Sequence, residues 1–177
     1  GTLTVNLRSG KMSGSRGHKV MIANNGRYDI KSTRYPFCAT GKLDDDNSIR
    51  AGMKLVGFNE RLNRFRLVGK GGGEKSYKVT WGPSSKVYTA AELAKGVNLA
   101  DDFEMNPFSE AFKKIDDAVL AKQTYETEQI KSIFHGPAGK KDMEAAARDT
   151  EAKREPLAAA IRTAFVPVLH TMQIEAQ

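Results

Sequence analysis

One cysteine, Cys38, is all that the 177 residues contain. That excludes an internal disulfide framework and any zinc site built from several thiolates. Long apolar runs are also absent. No stretch approaches the roughly 18 apolar residues that a membrane-spanning helix needs. The usual catalytic signatures are missing: there is no Gly-x-Ser-x-Gly elbow, no His-Glu-x-x-His and no Gly-x-x-x-x-Gly-Lys-Ser/Thr phosphate loop. The three histidines, His18, His135 and His170, lie far apart without ligand spacing and read as ordinary, partly exposed side chains. Asp44-Asp45-Asp46 reads as a solvated acidic turn, because the stretch lacks the alternating ligands, central glycine and terminal glutamate of an EF-hand. Cys38 beside Phe37 reads as a small buried hydrophobe, since no basic partner is identifiable. No cofactor and no metal is expected. No charged-then-apolar leader precedes the first strand-like run. The expectation is that a leader has been removed or that these residues are one piece of a longer polypeptide.

What is present is a globular composition: 40% hydrophobic and 28% charged residues. The mass of 19.4 kDa suits one domain, or one domain with a helical appendage. The net charge is +7, unevenly spread. Residues 1–88 hold 17 Lys and Arg against 6 Asp and Glu, whereas residues 89–177 hold 11 against 15. Opposed halves of this kind suit contacts within the fold or between chains.

Residues 1–88 read as an antiparallel β module, a small sandwich or barrel. Leu3, Val5 and Leu7 alternate with polar residues at the period of a half-buried strand. His18 to Ala23 and Arg27 to Lys31 flank Asn24-Asn25-Gly26, a hairpin signal because type I′ turns need positive φ at both central positions. Met53–Phe58, Phe65–Val68, Tyr77–Trp81 and Lys86–Tyr88 look like further strands. Gly69-Lys70-Gly71-Gly72-Gly73 reads as a hairpin turn, and Gly82-Pro83-Ser84-Ser85 as another connection. Arg64-Phe65-Arg66 alternates as aromatic inward and arginine outward would.

Residues 89–177 read as a helical hairpin with a short C-terminal tail. Thr89-Ala90-Ala91-Glu92 has the capping-box pattern, and Gly96 ends that helix. Asn106-Pro107 opens a long helix with the apolar stripe Phe108, Phe112, Ile115 and Val119. Gly136-Pro137 stops it. A second tract covers about 140–165, and Pro156 is expected to break or kink it. Val166 to Ile174 is a final strand or tail. The fold class is therefore α+β.

One segment is distinctive. It reads Phe58-Asn59-Glu60-Arg61-Leu62-Asn63-Arg64-Phe65-Arg66-Leu67-Val68, then Tyr77-Lys78-Val79-Thr80-Trp81-Gly82, then Tyr88-Thr89-Ala90-Ala91-Glu92-Leu93-Ala94-Lys95-Gly96-Val97-Asn98-Leu99-Ala100. Asn106-Pro107-Phe108 and Lys122-Gln123 follow. The order resembles the region after the catalytic domain in bacterial, planctomycete-type SGNH/GDSL hydrolases. The resemblance covers the middle third to half of the chain. That family's Gly-Asp-Ser nucleophile block and Asp-x-x-His pair do not occur here, so no catalytic residue carries over. The resemblance implies an exported bacterial protein, periplasmic, envelope-bound or extracellular. It also implies an accessory, non-catalytic part of an esterase that packs on a catalytic hydrolase domain or another chain. Asn63, Trp81, Asn98, Phe108, Phe112, Ile115 and Val119 are its structural or interface candidates. A self-assembling structural protein of the envelope or an extracellular lattice, a homo-oligomer, is the second reading. The third is a binder of an acidic polymer, a polysaccharide more than a nucleic acid, through Arg61, Arg64, Arg66 and Lys70.

Overall fold

A computed structural model describes all residues, Gly1–Gln177. The protein is α+β with two β-sheets. The nine strands are β1 (Thr2–Asn6), β2 (Met12–Gly14), β3 (His18–Asn24), β4 (Arg27–Ser32), β5 (Arg66–Lys70), β6 (Ser76–Trp81), β7 (Ser84–Thr89), β8 (Val97–Asn98) and β9 (Val168–Ala176). The smaller sheet has the order β2-β1-β5-β8, the larger β3-β4-β9-β6-β7. The helices are α1 (Ile49–Leu55), α2 (Phe58–Arg61), α3 (Ala90–Lys95), α4 (Leu99–Asp102), α5 (Ser109–Glu128), α6 (Pro137–Lys141) and α7 (Met143–Ala164), with a π-helical segment at Gln129–Phe134.

Local chemistry explains several boundaries. Asn25 and Gly26 both take positive φ, 45° and 77°, and close the β3–β4 hairpin between Asn24 and Arg27. The capping box of α3 is complete, with Glu92 N donating to Thr89 Oγ1 at 3.2 Å and Thr89 N to Glu92 Oε2 at 2.7 Å. Gly82, at φ +67°, allows the two-residue turn between β6 and β7.

Several expectations change or narrow. Met53–Phe58 is not a strand: Ser48 caps α1 by accepting from Ala51 N at 3.0 Å, Met53–Leu55 end that helix and Phe58 opens α2. The β region is not wholly antiparallel. β1 and β5 pair in parallel from Thr2–Arg66 to Asn6–Lys70. The glycines after Gly69 make no hairpin, because β5 and β6 belong to different sheets. Pro156 lies inside α7 without ending it. Strong helix formers on both sides, Ala152–Glu155 before it and Leu157–Ala160 after it, carry the helix past one missing amide bond. Of the two readings of the C-terminal segment, the strand is the one that forms: β9 is the central strand of the larger sheet, paired with β4 and β6.

Two compact units result, Gly1–Ser109 with Pro167–Gln177, and Glu110–Val166. In the first, Leu3, Val5, Leu67, Val79, Trp81, Phe108 and Met172 are wholly buried. Phe65 stacks on Trp81 with centroids 5.2 Å apart, and Phe108 meets both edge-on. In the second, Gln129 donates to Thr150 Oγ1 at 2.8 Å and Tyr125 Oη to Thr150 O at 3.0 Å. Arg154 reaches Glu126 at 3.4 Å from the facing helix.

Phe108→Ala should destabilise the protein by about 3–5 kcal/mol, since the ring is fully enclosed by aromatic neighbours. Urea denaturation followed by Trp81 fluorescence measures it; a midpoint equal to wild type would refute this packing.

Candidate functional site

The chemistry-bearing residues gather in two places in the first unit. The first is a hydrogen-bonded line across the larger sheet. Trp81 Nε1 donates to His170 Nδ1 at 3.1 Å, His170 Nε2 lies 2.9 Å from Ser32 Oγ, and Ser32 Oγ lies 2.9 Å from His18 Nδ1. These residues come from β6, β9, β4 and β3, four adjacent strands. An indole N–H only donates, which fixes the state of His170: it accepts at Nδ1, so its proton is on Nε2 and goes to Ser32. The Ser32 oxygen shares its remaining capacity with His18 Nδ1. Both imidazoles are neutral at pH 7, each with a pKa lowered to about 4, chiefly by burial.

The expected partly exposed histidines are therefore two buried ones, 5% and 6% exposed, while His135 is exposed. Sequence reading missed the grouping because 138 positions separate Ser32 from His170. Serine between two imidazoles resembles a nucleophile with its base. Ser32 is 0% exposed, however, so no substrate reaches Oγ. The line holds the strands together and seals its own hydroxyl.

The second place is a cleft of about 230 Å³ beside α1 and α2, with Cys38 and Asn106 in its floor. Arg50 pairs with Glu104 at 3.1 Å, and Asn59 Nδ2 donates to Asp101 Oδ1 at 2.7 Å. Glu60 and Lys54 at its wall form no ion pair. The Cys38 thiol donates to Pro36 O and Asn106 Oδ1, and burial pushes its pKa up, so it is no nucleophile. Around the cleft the chain leaves apolar side chains in solvent: Leu43, Ile49, Leu55, Val56 and Leu62 are 50–87% exposed.

The sequence-selected residues fall into place as follows. Asn98 Oδ1 accepts from Phe65 N at 3.0 Å while its Nδ2 donates to Asn59 O and Asn63 O. Asn63 bonds the Phe37 backbone in both directions, at 2.8 and 2.9 Å. Both asparagines thus tie loops to β5. Trp81 and Phe108 sit in the aromatic core; in the second unit Ile115 is buried and Phe112 and Val119 are half-buried. The basic candidates lie on α2, on β5 and on the residues between them. Arg66 is held by its guanidinium to Lys95 O at 2.6 Å. Arg64 and Lys70 flank β5, about 20 Å of extended chain apart. Arg61 lies in α2.

No protein-family model matches the chain, and no curated protein matches it. Among solved structures, the fold is similar to that of BT4096, a gut microbial diltiazem-metabolizing enzyme, with TM-score 0.65 and 15% identity. The match covers 99% of this chain and 49% of that one, so the chain spans about half the length of that enzyme. At that identity the likeness is one of fold.

Acid should unfold the protein through the two imidazoles. Their folded pKa lies near 4, below the ordinary imidazole value of 6.5, so the unfolded state binds more protons between these limits. Their stabilisation is full above about pH 6.5, drains away as pH falls toward 4 and is then exhausted. Urea midpoints should drop steeply over that window, and His170→Gln should flatten the drop. A midpoint constant from pH 7 to 4 would contradict the assignment.

Proposed function

We propose that this chain is a non-catalytic accessory module of an SGNH-type hydrolase, exported with its enzyme and packed against a catalytic domain or partner chain. The exposed apolar set Leu43, Ile49, Leu55, Val56 and Leu62 carries the reading. Aliphatic groups grouped in one short segment mark a surface built to be covered. The segment from Phe58 to Gln123 that resembles the region following the catalytic domain of these hydrolases begins within that surface. The enzyme of similar fold has about as much chain again beyond the matched half. The helical unit Glu110–Val166, with Leu120 and Ile130 exposed, is a second surface for assembly.

Three features support an absence of chemistry in this chain. The family's nucleophile block is missing, Ser32 is sealed, and Cys38 is protonated and buried. The self-assembly reading drew on opposed charges, and the packing weakens that ground. Residues 110–166 carry 10 basic and 10 acidic side chains, so the excess of seven positive charges lies wholly in the other unit.

Native mass spectrometry of the protein isolated from its own host should show a heavier polypeptide bound to this chain, or this sequence within one. Sequencing that polypeptide should reveal a Gly-Asp-Ser block. Only multiples of 19.4 kDa would overturn the accessory reading. The isolated chain should not hydrolyse p-nitrophenyl acetate above background. Turnover abolished by Ser32→Ala would overturn the non-catalytic assignment.

A further inference from the structure

The helical unit covers little of itself. Of residues 110–166, Ile115, Gln129, Gly139, Ala146 and Thr150 alone are buried. Helical bundles complete a core with a further layer of helices, which this pair does not supply. An open groove of about 960 Å³ runs between the π-helical segment and α7. Ile130, 51% exposed, and Phe134 form one wall, and Ala147 and Ala152 keep the α7 wall low. Arg148 and Glu155 also line it. They stand seven positions apart on α7, so they share a face of the helix, two turns or about 10 Å apart. Both are loosely held. Arg148 meets Glu144 at 3.9 Å and Glu155 meets Arg162 at 2.9 Å, all four side chains being more than half exposed. Between them Glu151 is already satisfied, since Arg154 Nε donates to it at 2.7 Å.

We propose that this groove is the contact face of a homodimer, with α7 of a second copy lying antiparallel to α7 of the first. A twofold axis beside Glu151 and Ala152 sets each Arg148 level with Glu155 of the other copy. The face thus carries its own complement twice over, as an isologous contact requires. Alanine at the crossing lets the two helices approach to about 8 Å, and Ile130 and Phe134 of each copy close over α7 of the other. The result is a bundle of four helices. Charge favours a second copy as the occupant. Residues 110–166 carry 10 basic and 10 acidic side chains, so two copies meet here without net repulsion. The surplus of seven positive charges opposes association through the first unit instead. The dimer names the occupant of the second assembly surface. It does not depend on the hydrolase reading, since its face contains none of the apolar residues around α1 and α2.

Sedimentation velocity on the full chain tests it. The mass should rise from 19.4 kDa toward twice that value between about 1 and 100 µM. Arg148→Glu and Glu155→Arg should each weaken self-association at least about tenfold, because each sets like charges level at both pairs. An equimolar mixture of the two variants should restore the dimer, since every residue 148 then faces an opposite charge at residue 155 of the other chain. A merely structural role for either side chain gives no such rescue. A chain that stays monomeric up to about 100 µM would overturn the proposal and leave the groove to a different polypeptide. A dimer indifferent to both variants would also overturn it, by placing the contact on another face. So would a mixture that associates no better than either variant alone. Each of these failures leaves the accessory reading where it stands, and the absence of a Gly-Asp-Ser partner leaves the dimer.

Discussion

The indole N–H of Trp81 can only donate, and the first unit is organised around that constraint. Its proton must find an acceptor in the core, and His170 Nδ1 is the group supplied, 3.1 Å away. The neutral His170 ring then donates to Ser32, whose oxygen also meets His18 Nδ1. The line runs through aromatic surroundings: His170 packs on Phe108 at 5.1 Å and His18 stands edge-on to Phe65 at 4.9 Å. Low polarity strengthens each bond in the line and makes any missing one expensive. The result is all-or-none. It ties β3 and β4, near the start of the chain, to β9 at its end, and so requires the chain to return across the helical unit before the larger sheet is complete.

What was legible in the sequence was local. Asn25-Gly26, the Thr89–Glu92 capping box and the Gly82-Pro83 turn encode their geometry within a few residues, and each forms as its chemistry dictates. Met53–Phe58 was misread because a short apolar run has no period of its own, and the deciding residue, Ser48, lies outside it. The parallel pairing of β1 with β5 spans some sixty positions and leaves no mark on either strand. The same holds for the polar line. A histidine, a serine and another histidine scattered along the chain look like three unrelated surface residues until the strand order places them side by side. Asn63 and Asn98 were readable as structural, since a strand followed by a capped helix must tie its loop amides somewhere.

Charge tells a similar story. Divided at residue 88, the chain looks like a basic half and an acidic half. Packing redraws the border at Ser109 and brings in β9. Acidic residues of α3 and α4 and the loop after them then fall within the basic unit, where Asp102 pairs with Lys86 and accepts from Tyr88 Oη, and Glu104 pairs with Arg50. Burial and Asp102 together push the Tyr88 phenol up, which keeps it a neutral donor to that carboxylate. Three ion pairs of the first unit, at Arg27, Arg50 and Lys86, offset part of its charge, and its other lysines and arginines keep the excess of positive charge on its surface.

The two histidines also limit what this unit can do. A serine hydroxyl aligned on an imidazole becomes a nucleophile only where a substrate carbonyl can approach it and the imidazole can take up a proton. Here the aromatic rings that make the line strong also exclude both. Burial holds His18 and His170 near pKa 4, so a proton gained during attack on a substrate would be costly, and Ser32 has no open face. The stabilising and the catalytic uses of such a group are mutually exclusive at this depth. Of the whole line only His18 Nε2 is without a hydrogen-bond partner, and it too is buried. What this unit offers to other molecules lies at its periphery, where the apolar side chains around α1 and α2 are exposed.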